Sequence, residues 1–181
     1  MKLRVFPLVL LAGFAAIGSL WIAHRRSVAE AKSPPAVRKG GATPAGLERE
    51  MLDLVNADRA NPKYLAETHG RARPLAWDAA LAAVARTHSC DMMKRGYFAH
   101  ESPEGVGPRH RIEKAGIRWR MFAENIAKDQ MVADAEAAFM REPPFQENHR
   151  ANILNPELTD IGIGICSDRD YLYITQDFRA R

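Results

Sequence analysis

Ile161-Gly162-Ile163-Gly164-Ile165-Cys166-Ser167-Asp168-Arg169-Asp170-Tyr171-Leu172-Tyr173-Ile174-Thr175-Gln176-Asp177-Phe178 reads as two strands and a turn. Isoleucine alternates with small residues at a period of two, so residues 161, 163 and 165 line one face of a strand and Gly162, Gly164 and Cys166 the other. Ser167 to Asp170 make the turn, and Tyr171 to Phe178 return antiparallel. With glycine on the face opposite the isoleucines, another element can approach the backbone closely.

The segments N-terminal to this hairpin read as helices. Val132, Ala135 and Phe139 form one face of a helix over about Met131 to Met140, and Pro143-Pro144 ends it. Glu142 then lies at its end, entering a loop that carries His149. Gly105 to Pro108 make a turn into a short helix through Ile112, with Gly116 beyond it. A longer helix begins near Asp78, carries Leu81, Val84, Ala85, His88 and Met92 on one face, and stops at Gly96, a residue suited to a left-handed cap. His88 on that face reads as a hydrogen-bonded core histidine rather than a ligand. Thr43-Pro44 looks like a cap and first helical position, and Leu47, Met51, Leu54 and Val55 continue an amphipathic helix that ends before Pro62. Several amphipathic helices and a small antiparallel sheet pack naturally as helix, sheet, helix, an α+β class.

The start of the chain is different in kind. Met1-Lys2-Leu3-Arg4 precedes an uncharged, mostly apolar run from Val5 to Ala23, closed by His24-Arg25-Arg26. About 19 residues at 1.5 Å each come close to spanning a hydrocarbon core, so residues 1–26 are expected to be a signal peptide or a signal anchor. The length of the run, and the basic residues directly after Trp21-Ile22-Ala23, favour the anchor. Basic residues at both ends leave the orientation open. With no cysteine nearby, lipoprotein attachment is excluded. Residues 27–43, with Ser33-Pro34-Pro35 and Lys39-Gly40-Gly41, lack apolar periodicity and are expected to be a disordered linker. One domain over 44–181 follows, long enough to bury a substantial core.

The net charge of +4 belongs to the tail. Residues 1–45 hold seven Lys or Arg and one acid, which leaves the remainder at −2. The globular part has no basic excess to recommend nucleic acid as a partner. Cys90 and Cys166 are the two cysteines, without a CxxC pairing. In an exported chain they suggest one disulfide, and two buried thiols remain the alternative.

The residues that could carry chemistry are His100 in Tyr97-Phe98-Ala99-His100, Glu124 in Ala123-Glu124-Asn125-Ile126, Glu142 in Phe139-Met140-Arg141-Glu142, and His149 in His149-Arg150-Ala151-Asn152-Ile153-Leu154. Imidazole nitrogens and carboxylates are the usual ligands of a divalent cation. No two of the four stand at a helical metal-motif spacing and HExxH is absent, so only tertiary structure can bring them together.

In order, these segments resemble the bacterial branch of the CAP superfamily, the cysteine-rich secretory, antigen 5 and pathogenesis-related 1 proteins. There the succession reads F-x-H, G-E-N-I, W-x-x-(E or S), H-R-x-N-I-L, I-G-V-G and T-Q-x-F. The matching stretches here are 98–100, 123–126, 139–142, 149–154, 161–164 and 175–178, with Leu54 to Arg59 upstream, so the resemblance covers about residues 45 to 179. It implies a three-layer α-β-α sandwich with a small central antiparallel sheet, in which Cys90 and Cys166 could meet where the second helix covers the sheet. It also implies a cleft lined by His100, Glu124, Glu142 and His149. Ala123 departs from the family's glycine and Phe139 from its tryptophan. The longer loop before His149 makes Glu147 a rival for Glu142.

The function expected from this is an exported binding or interaction module. Its cleft would take a divalent cation, with zinc suited to the imidazole donors, and its partner would be an extracytoplasmic protein, lipid or cell-envelope component. The membrane would be met through the N-terminal segment. The alternative is a metal-assisted hydrolase in the same cleft, with water activated by Glu124 or Glu142, although no HExxH or GxSxG motif supports it. Proteolysis has been proposed for the family, and its eukaryotic members include lipid and sterol binders.

Overall fold

The computed structural model describes residues 43–181. The segment expected over 1–26 and all but the last residue of the linker expected over 27–43 lie outside them. The chain enters helix α1 (Pro44–Ala60) with Thr43 as its cap: the hydroxyl accepts from Gly46 N at 3.2 Å, and Pro44 takes a position whose missing N–H costs nothing. A 3₁₀ turn (Pro62–Tyr64) and one turn of helix, α2 (Leu65–Thr68), lead to the two-residue strand β1 (Ala76–Trp77). Then come α3 (Ala79–Arg95), α4 (Pro108–Lys114), β2 (Met121–Asp129), α5 (Val132–Met140), α6 (His149–Leu154), β3 (Asp160–Ser167) and β4 (Leu172–Ala180).

The strands form one sheet in the order β1-β3-β4-β2. The three long strands are antiparallel, as the hairpin reading requires, but β1 joins β3 in parallel, so the sheet is mixed. Its direction follows from α3. Ala76 and Trp77 pair with Asp160 and Ile161, and the chain then continues into α3 without reversing.

That helix runs along β3 in register. A Cβ on Gly162 would lie 2.1 Å from Ala82 N, and one on Gly164 1.9 Å from Arg86 N, so the helix backbone rests directly on the strand. Four helical residues rise about 6.0 Å and two strand residues about 6.6 Å, so every fourth residue of α3 meets every second residue of β3. Ala82 over Gly162 and Arg86 over Gly164 are followed by Cys90 over Cys166, and there the disulfide closes with Cα atoms 5.1 Å apart. The disulfide alternative for the cysteines is the one realised.

The opposite face of the sheet carries the main core. Ile161, Ile163, Ile165, Ile174 and Phe178 pack against Met51, Leu52 and Val55 of α1, Phe139 of α5 and Ile153 of α6. Polar side chains lock the layers. Glu48 is buried on α1, receives both Nε and Nη2 of Arg86 at 2.8 and 2.6 Å, and accepts Ile165 N at 3.2 Å, so one carboxylate ties α1, α3 and β3. Arg59 is buried among carbonyls, donating to Arg73 O and Ile153 O at 2.7 Å and to Asn155 O at 2.8 Å. This burial draws its guanidinium down to about 10.

Candidate functional site

Strand β2 is the sheet's edge, and the four expected residues gather around it. Glu124 projects to the α3 side. Its cross-strand neighbour is Asp177, and Asp177 in turn pairs with Gly162 beneath α3. His100 comes from the loop after α3, and its Nδ1 lies 2.8 Å from Glu124 Oε1. Glu142 and His149 belong to the other layer, where Nδ1 of His149 lies 2.6 Å from Glu142 Oε1. The rings of His100 and His149 stand 6.4 Å apart between centroids, with 25° between their planes. One His–Glu pair thus joins the loop after α3 to β2, the other lies within the α5–α6 layer, and the imidazoles stack across the sheet edge.

Local structure explains how each group is held. Met140 is the last residue of α5, and the two prolines after Glu142 prevent its continuation, which leaves Glu142 free to turn back. Asn148 caps α6 by accepting Ala151 N at 2.9 Å and donates to Pro143 O at 2.8 Å. This fixes His149 as the first residue of the helix, where its own N–H donates to Glu142 Oε2 at 2.8 Å. Phe139 packs on the His149 ring with centroids 4.7 Å apart. Asn125, fully buried, donates to His149 O at 3.1 Å and to Gln176 Oε1 at 2.9 Å, while its side-chain Oδ1 accepts from Asn152 Nδ2 at 2.8 Å. Glu147, the rival carboxylate, is exposed and makes none of these contacts. His88 is buried with Nε2 3.1 Å from Ala99 O, and burial first, then the Arg111 charge, lowers its pKa, as suits a core histidine.

Arg111 of α4 was not singled out in the sequence. Its Nη2 donates to Glu124 Oε2 at 2.5 Å, and Nη1 donates to His100 O and Val106 O at 2.9 Å each. Burial alone would raise the Glu124 carboxyl, but the His100 hydrogen bond and the Arg111 charge overcome it and hold it below the ordinary range. Asp177 moves the other way, raised well above the ordinary value by complete burial and then by the neighbouring Glu124 charge.

Because Glu124 is ionised, it must accept its hydrogen bond, so the proton is on Nδ1 of His100. Glu142 accepts from His149 N through Oε2 and faces Nδ1 of the same ring with Oε1. Neither Nε2 has a hydrogen-bond partner among the described residues. Among the same residues, no group of three or more His, Cys, Asp or Glu side chains is arranged to hold a metal. Imidazole nitrogens are ordinary ligands of a divalent cation, and here a glutamate holds each ring through its Nδ1, as outer partners of metal-ligating histidines do.

The family model described as the cysteine-rich secretory protein family matches residues 52–178. An uncharacterized protein of Bacillus subtilis, YkwD, is 33% identical over 140 residues, covering 74% of this chain and 50% of its own length. An uncharacterized membrane protein of the same organism, YlbC, is also 33% identical, over 74% of this chain and 34% of its own. The crystal structure of an extracellular protein with an SCP domain from Bacillus anthracis superposes with a TM-score of 0.62 at 27% identity, over 78% of this chain and 45% of that one. The chain thus spans half or less of the length of these relatives. With more than half of its residues matched and the same layered fold, the chain belongs to the cysteine-rich secretory protein, or CAP, family.

Proposed function

We propose that this CAP domain works outside the cytoplasmic membrane as a binding module, and that a divalent cation, zinc by the softness of the donors, is held between Nε2 of His100 and Nε2 of His149. The observation that carries this reading is the pair of stacked imidazoles whose Nδ1 atoms are both taken up by carboxylates. Such outer partners fix the tautomer and raise ligand basicity. The exported setting is supported by the apolar run from Val5 to Ala23 and by relatives described as extracellular or membrane proteins. The ligand recognised outside would be a protein, lipid or envelope component.

A metal-assisted hydrolase is the second reading, and the carboxylates speak against it. A general base for water works best with a pKa near the operating pH. Glu124 is held below the ordinary range and has both oxygens engaged, and Glu142 accepts from His149 N and faces Nδ1 of its ring. Titration calorimetry with Zn²⁺ tests the proposal. His100→Ala and His149→Ala should each weaken binding at least about ten-fold, because each removes one of the two proposed ligands. Equal affinity in all three proteins would overturn the site. Hydrolysis of peptide or ester libraries that depends on either histidine would replace the binding module with the hydrolase.

A further inference from the structure

A cavity of about 720 Å³ opens between α3, α4 and the loop that joins them. None of His100, Glu124, Glu142 and His149 lines it, although Arg111 on its wall reaches Glu124. Its apolar wall comes from Val84, Val106, Ala115, the ring of Tyr97 and the Cys90 end of the disulfide. Cavities of this size and lining take small organic molecules.

Charge at the mouth selects among them. The two acids there are already engaged: Asp91 accepts Tyr97 Oη at 2.7 Å and Arg95 Nη1 at 3.4 Å, and Glu104 is held by both terminal nitrogens of Arg95. Arg111, on the wall, is neutralised by Glu124. Lys94 and Lys114 are exposed at the mouth and have no hydrogen-bonding or charged partner among the described residues. The uncompensated charge is therefore two ammonium groups beside an apolar wall. Phosphate and polyanions are usually gripped by the fork of a free guanidinium, and here both arginines are committed. A lysine ammonium is a point charge, which suits a lone carboxylate.

We propose that this cavity is a second ligand site, taking a compact organic anion that buries an apolar body against Val84 and Val106 and presents a single carboxylate to Lys94 and Lys114. Exposed ion pairs contribute little, so burial of the apolar body supplies most of the affinity and the carboxylate supplies selectivity. The contacts proposed for the anion use none of the two histidines and two glutamates at the β2 edge.

The test is an NMR titration of the full-length chain with cyclohexanecarboxylate and with its neutral analogue cyclohexylmethanol. The carboxylate should shift amides within residues 84–94 and 106–115 and bind at least five-fold more tightly than the alcohol. The double variant Lys94→Ala/Lys114→Ala, which removes only exposed and unpaired groups, should keep the wild-type spectrum elsewhere and lose that preference, while Lys63→Ala retains it. Three results would overturn the site: shifts outside these segments only, equal affinity for acid and alcohol in the wild type, or a preference that survives in the double variant.

Discussion

Glu136 lies on α5 with 2% of its surface exposed, and only one of its carboxyl oxygens, Oε2, is bonded, to Gln176 Nε2 at 3.1 Å. Burial pushes the acid up to about 8, against the smaller lowering effect of the Gln176 hydrogen bond. The sign of the consequence is fixed by linkage. The folded chain keeps a proton that the unfolded chain releases above the ordinary carboxylate range, so this group's stabilising contribution is full below about pH 4.5 and is lost as pH rises to about 8. Glu136→Gln removes the titration. Between pH 5 and 8, urea unfolding should show the wild type losing about 2–4 kcal/mol relative to the variant, since each pH unit separating the folded and unfolded titrations is worth about 1.4 kcal/mol. Parallel pH profiles of the two proteins would refute the buried, protonated state. Asp177 is raised in the same direction by the same cause, with Glu124 adding its charge.

At the scale of elements, the contact of α3 on β3 depends on two missing side chains. Gly164→Ala would set a methyl 1.9 Å from the Arg86 amide nitrogen, against backbone and not the end of a flexible side chain. The helix must then lift, disturbing the Ser89 hydroxyl bonds to Gly164 O and Thr175 Oγ1, both 2.8 Å. A loss of about 3 kcal/mol is expected in denaturant unfolding, the upper part of the overpacking range. An unchanged midpoint would mean that the approach is looser than described. The alternation of glycine with isoleucine made this contact readable in advance, and helix ends at Thr43, near Asp78, at Gly96 and before Pro143 were readable too. Strand β2 was not readable, because its middle residues Glu124, Asn125 and Ile126 are buried on both faces and show no polar–apolar alternation. Helix α6 has six residues, too few for a periodic signal, and is set by the Asn148 cap. The two histidines and two glutamates were singled out by their order along the chain, and the structure brings them together at the β2 edge. Arg111 was not, since nothing in Pro108 to Lys114 separates it from Arg109 until the fold turns one guanidinium inward.

For the whole molecule, the disulfide connects chemistry to compartment. Cys90 and Cys166 close a loop across a separation of 76 residues, worth roughly 4 kcal/mol by restriction of the unfolded chain. Such a bond persists in oxidising surroundings, which agrees with the export proposed from the N-terminal run. Fractionation with thiols blocked at lysis should recover the chain in the membrane or outside the cell, with no free thiol. Recovery in the cytosol with two free thiols would remove both the export and the bond.

The stacking of His100 on His149 across the β2 edge has a mechanical side. One ring is carried by the layer that contains α3, the other by α5 and α6, and the 6.4 Å between them is set by how those layers seat on the sheet. Any guest that grips both rings acts as a rivet between layers, and any force that slides one layer past the other loosens the guest by the same free energy. The proposed site would in this sense be a gauge of the sandwich's alignment, readable from outside through the strength with which it holds the ion proposed for it.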